Sequence, residues 1–176
     1  ISVGAVVVEN GCITEESEFY TMVNPGRPIS PKSQKITGIS DEMLVGQPAI
    51  GEVLLDFLEF AGPRILVAHR APFDIAFMNV KLCEVIGRRV VNPVIDTAIL
   101  ASSVYPFYDD YSLENLAPRC KVDLAGRHHA LADARIAASI FIHLLAQLEE
   151  KGVTNLPQLA QLFKEANKRS SYPIGY

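Results

Sequence analysis

Two aspartates stand at similar points in this chain. Residues 66–78 read LVAHRAPFDIAFM, and residues 127–145 read RHHALADARIAASIFIHLL. In the first stretch a short apolar run, expected to be a buried strand, ends at His69, and Asp74 follows near the start of a helix. In the second, a polar lead-in containing His128 and His129 precedes Asp133 in the first turns of a long helix. An acid early in a helix complements the positive end of its dipole, so each aspartate taken alone reads as structural. Brought together from different elements, such oxygen ligands bind Mg2+ or Mn2+, and a neutral histidine nearby can deprotonate water. Ligands in open α/β sheets gather outside the carboxyl ends of the strands, and Asp74 lies there. Two acids and a histidine make only part of such a site.

Other chemistries find no support. His128 and His129 are adjacent rather than four apart, and no glutamate completes a zinc motif. Cys12, Cys83 and Cys120 are widely spaced and form no ligand pattern. Gly4, Gly11, Gly26, Gly38, Gly46 and Gly51 are scattered rather than gathered in a phosphate loop, and no serine stands in a nucleophile elbow. A structural reading of the two histidines makes one a helix cap and leaves the other solvated.

The elements that must hold these residues follow from pattern. Residues 1–8 and 12–23 are strand-like and flank Glu9-Asn10-Gly11, a hairpin signal. Pro25, Gly26, Pro28 and Pro31 break the next stretch into a loop, and Ser40 is placed to cap a short helical turn at 41–45. Ile50, Val53, Leu54, Phe57 and Leu58 recur at helical spacing until Gly62-Pro63. Residues 64–68 read as a buried parallel strand. The helix after it is expected to turn Phe73, Phe77, Val80 and Val85 inward. A strand over 90–95 and helices over 97–104 and from Ser112 to about 118 follow. The long helix over 130–150 is closed by Lys151-Gly152, and Thr154 is expected to cap a last helix to about 168, before a small basic tail. An antiparallel ribbon followed by alternating strands and helices predicts an α/β sandwich on a mixed sheet, in one domain.

Bulk properties narrow the field. The 176 residues, 49% hydrophobic and 20% charged, suit one globular domain. Apolar runs fall short of membrane-spanning length and no signal-peptide pattern appears, so no membrane segment is expected. Three cysteines predict reduced thiols in an intracellular, cytoplasmic protein. A net charge of −4 argues against broad duplex binding and for a grip on a few nucleotides, should nucleic acid be the substrate. Ile1 already stands inside a strand pattern, which predicts further sequence upstream.

The stretches SVGAVVVENGCI, NPGRPISPKSQKITGISDEM, LVAHRAPFDIAFM, VIDTAILA, YSLENLA and HHALADA follow one another in that order. In that order and spacing they resemble the DEDD 3′–5′ exonucleases, histidine subtype, of the ribonuclease-H-like fold. The best-known members of that family are proofreading subunits and domains of bacterial replicative polymerases. LVAHRAPFDIAFM resembles the second motif and HHALADA the third. The resemblance covers residues 1–150, expected to be the exonuclease domain. Residues 151–176 are expected to be a C-terminal helix and tail, part of that domain or appended to it.

The resemblance implies a mixed sheet flanked by helices, whose first, central strand carries Asp-x-Glu. That motif does not occur in residues 1–176 and is expected upstream of Ile1. It implies Asp74 and Asp133 as ligands of two Mg2+ or Mn2+ ions shared with the missing pair. The family's catalytic histidine lies five residues before the third-motif aspartate, which selects His128 and leaves His129 at a variable position. Asp96 matches a common acid that is not usually a ligand, and is expected to be structural. Thr37, Gly38 and Ile39 are expected beside the terminal nucleotide, with apolar side chains against the base and backbone at the sugar. His69, Arg70 and Phe73 join them as substrate-binding positions. Arg70 replaces the usual asparagine; its guanidinium meets a phosphate or pairs with a surface acid. The implied reaction releases 5′-mononucleotides from the 3′ end of single-stranded or frayed DNA, with a polymerase or appended domain as partner. Two alternatives stay open: an RNA or oligoribonucleotide substrate, and a catalytically inactive homologue that binds nucleic acid or a polymerase.

Overall fold

Asn10 and Gly11 both adopt left-handed backbone angles, φ 53° and 75°, the geometry of a two-residue turn between right-twisted strands. The chain reverses there, and Ser2–Glu9 (β1) pairs antiparallel with Cys12–Met22 (β2), with a register shift between Val6 and Val8. The computed structural model describes residues 1–170, apart from the side chains of residues 15 and 16. The end of the expected basic tail lies outside the described residues.

Pro31–Thr37 (α1) is a helix where the prolines predict a loop. Ser30 accepts the Ser33 N–H at 3.2 Å, Pro31 opens the helix, and Gly38 closes it at φ 70°. It buries no residue, so no apolar period announces it. A 3₁₀ turn over Glu42–Leu44 follows, with Asp41 rather than Ser40 at its head. Then come Ile50–Ala61 (α2), Leu66–Ala68 (β3), Ala71–Ile86 (α3), Val94–Asp96 (β4), Thr97–Val104 (α4), Leu113–Arg119 (α5), Ala130–Glu150 (α6) and Leu156–Arg169 (α7).

Strands β3 and β4 pair in parallel, with Leu66 opposite Val94 and Ala68 opposite Asp96. The fold is thus mixed α/β, a small set of antiparallel and parallel strands flanked by helices, in keeping with the ribonuclease-H-like arrangement. Among the described residues the strands form two pairs rather than one continuous sheet, because β1 and β3 each pair on one side only.

Helix α6 joins the halves. It packs against β1, β2, β3, α4 and α5 and buries Ile136, Ala137, Ala138, Ile140, Phe141, Leu144 and Leu148. By length and composition it could cross a membrane, but this packing makes it the core helix. Its first turn lies hard against β1: a Cβ on Gly4 would stand 2.4 Å from the Ala130 carbonyl carbon and 2.5 Å from the Leu131 nitrogen. Helix α7 packs on α4 and adds Leu159, Phe163 and Ala166 to the same core. Asn155, not Thr154, caps α7, accepting the Gln158 N–H at 3.1 Å.

Helix α3 reverses the expected orientation. Phe73, Phe77, Val80 and Val85 are exposed, while Ala71 and Leu82 are buried. The helix carries two apolar stripes, and the one through Ala71, Ile75, Met78 and Leu82 is the one that packs inward. Helical spacing alone does not decide between them.

Candidate active site

Asp96 ends β4 and is fully buried. One of its oxygens accepts the Ala98 N–H at 2.8 Å and the Ile99 N–H at 3.3 Å, capping α4. The other accepts the Ala71 N–H at 2.8 Å, at the start of α3. A single carboxylate therefore caps two helices and fixes how α3 leaves β3. Burial raises its pKa, against the pull of those N–H groups.

Asp74 lies in the first turn of α3. Its pKa is pushed up to about 6, first by desolvation and then by the Asp96 charge. The residue keeps solvent contact, so crowding by protein atoms rather than full enclosure is the cause. Asp74 is exposed as a residue while Asp96 is fully buried, and a carboxylate that feels a second acid's charge is relieved by a cation.

His69 closes β3's carboxyl end. Its Nδ1 shares a 2.8 Å hydrogen bond with Thr97 Oγ1, and its Nε2 is buried with no partner among the described residues. Burial, then the Arg70 and Arg127 charges, lower its pKa to about 4 against the opposing Asp110. The imidazole is therefore neutral at pH 7. Arg70 adopts φ 58° and its guanidinium stands 3.8 Å from Asp110. Asparagine tolerates that left-handed angle better than arginine does, so the arginine here carries a backbone cost.

At the head of α6, His128 takes φ 72° and its N–H donates to Asp133 Oδ1 at 3.3 Å. His129 occupies the N-cap position without a side-chain cap bond, and its ring stacks on Tyr20 at 4.5 Å. Neither imidazole caps the helix; the Asp133 carboxylate takes an N–H there instead.

Two half-sites result. His69, Asp74 and Asp96 gather at the carboxyl ends of β3 and β4, while His128 and Asp133 stand at the head of α6, beside β1. Among the described residues, no three His, Cys, Asp or Glu side chains come close enough to hold a metal ion together. By donor type Asp74 and Asp133 fit Mg2+ or Mn2+, which take one or two carboxylates and fill the remaining positions with water and substrate phosphate.

Segment 37–39 departs in part from expectation. Thr37 and Gly38 are exposed at the end of α1, but Ile39 is 6% exposed and cannot lie against a base; Ile36, at 46%, is the exposed apolar side chain. The Ile39 N–H donates to Thr37 Oγ1 at 3.3 Å. Phe73 is 80% exposed on the first turn of α3. Sequence reading missed Thr97, Asp110 and Arg127 around His69, and Tyr20 under His129. These partners meet only through the fold; the one local hint is that Thr97 directly follows Asp96.

A family model described as an exonuclease matches residues 1–141. DNA polymerase III subunit epsilon of Aquifex aeolicus is 42% identical over 165 residues, which are 93% of this chain and 81% of that protein. PolC-type DNA polymerases III of Caldanaerobacter subterraneus subsp. tengcongensis and Bacillus subtilis are 39% and 36% identical over 94% and 95% of the chain. The chain spans 12% of the length of each of these two polymerases. Among solved structures, exonuclease X in complex with 5′ overhanging duplex DNA superposes with a TM-score of 0.68 at 25% identity, over 92% of this chain and 89% of that one.

Proposed function

Because the chain belongs to the DEDD-type 3′–5′ exonuclease family, related to the proofreading subunits and domains of DNA polymerase III, we propose that it removes 5′-mononucleotides from the 3′ end of single-stranded or frayed DNA. The observation that carries this reading is Asp74: a crowded carboxylate beside a second, buried one, at the carboxyl ends of two parallel strands. Divalent ions, when bound, supply Lewis-acid stabilisation of the phosphoryl oxygens and a more acidic water. Asp74 and Asp133 are the residues that would hold them. His128, exposed on the loop before α6, takes the proton of the attacking water, a task suited to histidine near neutral pH. Asp96 holds the start of α3, and with it Asp74, in place. Neutral His69, its Nε2 buried, lines the inner wall of the site behind Arg70.

Two more carboxylates complete the family's set. The open edges of β1 and β3, both packed on α6, suit a further strand bearing Asp-x-Glu between them. Contacts fall mainly on phosphate, sugar and a stacked base, so sequence preference is slight.

The test is digestion of 5′-labelled oligothymidylate by the full chain with Mn2+, beside a matched oligouridylate and Asp74→Ala. Shortening from the 3′ end with release of mononucleotide, faster on DNA and abolished by Asp74→Ala, is the expected result. Faster digestion of RNA would move the assignment to an oligoribonuclease. Binding without any cleavage, even at long times, would favour a non-catalytic homologue; the lack of a three-residue metal cluster among the described residues is what makes that second reading worth testing.

A further inference from the structure

The loop between α4 and α5 reads YPFYDDYS over residues 105–112, and Tyr105, Tyr108, Asp110, Tyr111 and Ser112 are tied down. The Tyr108 N–H donates to the Tyr105 carbonyl at 3.2 Å, and the Tyr111 hydroxyl donates to the same oxygen at 2.7 Å. The Arg119 guanidinium lies over the Tyr108 and Tyr105 rings, 4.3 and 5.1 Å from their centroids. Asp110 accepts the Ser112 N–H at 2.8 Å and Asn115 Nδ2 at 2.7 Å. Among the loop's aromatic residues Phe107 is the exception: its ring is 97% exposed and stacks on no other ring among the described residues. Leaving a side chain of that size in water forgoes about 1.5–3 kcal/mol of burial.

The loop is also fastened to the candidate active site. Asp110 meets Arg70, which lies between His69 and the helix that carries Asp74. Both partners are more than half exposed and stand 3.8 Å apart, so the pair is worth under about 1 kcal/mol and can yield the guanidinium to a phosphate. Three residues of chain reach at most about 11 Å, so the Phe107 backbone lies within that distance of Asp110, the partner of Arg70. The exposed acid Asp109 and the net charge of −4 oppose any wide phosphate surface. A grip of one cation and one ring fits those limits.

Resting on the exonuclease reading, we propose that Arg70 and Phe107 form a rim that holds single-stranded DNA just 5′ of the nucleotide being removed. Arg70 takes a backbone phosphate in exchange for Asp110, and Phe107 stacks on a base. Stacking is indifferent to which base arrives, as a non-specific exonuclease requires.

The chain contains no tryptophan, so Phe107→Trp installs a single indole at the proposed stacking point. Titration of this variant with an eight-residue oligothymidylate in EDTA should quench its emission to saturation, whereas thymidine 5′-monophosphate, too short to reach the rim, should not. Phe107→Ala should weaken oligothymidylate binding by about 5- to 140-fold with the same salt dependence. Arg70→Gln should instead flatten the slope of log K against log salt by about 0.7. If the parent binds the oligonucleotide while the indole stays silent and both substitutions leave affinity unchanged, the rim is wrong and the exonuclease reading survives. A variant that weakens the mononucleotide as much as the oligonucleotide also overturns the rim, because the effect then lies in the site itself. A parent that binds no single strand in EDTA or with Ca2+ overturns the rim, while the exonuclease reading stands or falls with the Mn2+ digestion.

Discussion

Replacing Asp96 with alanine tests whether one buried carboxylate organises the site. The substitution strips acceptors from three N–H groups at once: Ala98 and Ile99 in the first turn of α4, and Ala71 at the start of α3. Thr97, Ala98, Ile99, Leu100 and Ala101 are all buried, so water cannot readily replace what is lost. Loss of the α4 cap costs about 1 kcal/mol, and stranding buried N–H groups costs about 1–3 kcal/mol each. Against this, the charge removed was one that burial disfavours. A net loss of about 3 kcal/mol is expected, or a melting temperature lower by about 6–12 °C for a domain of this size. Asp96→Asn keeps an oxygen for α4 but turns a donor toward the Ala71 N–H, so its loss should be smaller, about 1–2 kcal/mol. It should also lower the Asp74 pKa, though not to the ordinary value, because desolvation is the larger cause. Urea unfolding followed by far-ultraviolet circular dichroism gives the stabilities, and amide exchange at Ala71 reports the local opening. An alanine variant within 1 kcal/mol of the parent, or an asparagine variant less stable than the alanine one, would refute the double-cap account.

Three further outcomes follow from the same geometry. Gly4→Ala should destabilise by about 1–3 kcal/mol, since its Cβ meets backbone rather than a movable side chain; a melting curve that overlays the parent's would mean that α6 shifts without resistance. Asp74 has a raised folded pKa, so its contribution is favourable when protonated below about pH 4 and is lost as the pH climbs through about 6. Asp74→Asn should therefore gain on the parent over that window and then plateau; a rise to about 6 sets a ceiling of about 3 kcal/mol, which solvent screening reduces to about 1, read by unfolding from pH 4 to 8. Saturating Mn2+, at a hundred times its dissociation constant, should stabilise the parent by about 2.7 kcal/mol and leave Asp74→Asn nearly unmoved; an equal rise in both would place the ion elsewhere.

The sequence makes legible what is encoded locally. The hairpin shows because Asn10 and Gly11 supply both left-handed residues of its turn, and α6 shows because its apolar side chains recur over six turns. Asp74 and Asp133 could be singled out because each follows a strand or polar lead-in at a helix start. Helix α1 escapes because it buries nothing, and its capping serine and opening proline look the same as loop residues. The buried face of α3 does not show in the sequence because two apolar stripes compete and only the partner surface chooses between them. The shell around His69 is invisible for a different reason: Thr97, Asp110 and Arg127 lie 28 to 58 residues away along the chain, and no local pattern records a meeting of that kind.

Among the described residues α6 is where β1 and β3 both pack while neither strand bonds to the other, so within this segment the two strand pairs are bolted to one beam. The hairpin's contacts are local along the chain, whereas β3 and β4 must first close a long crossover before they pair. Opening events should respect that division. For residues 1–176 by themselves, amides of β1 and β2 should exchange as a unit before those of β3, β4 and the core beneath them. Loosening the beam itself, for example by truncating Ile140 or Leu144 at its buried centre, should let both pairs go together.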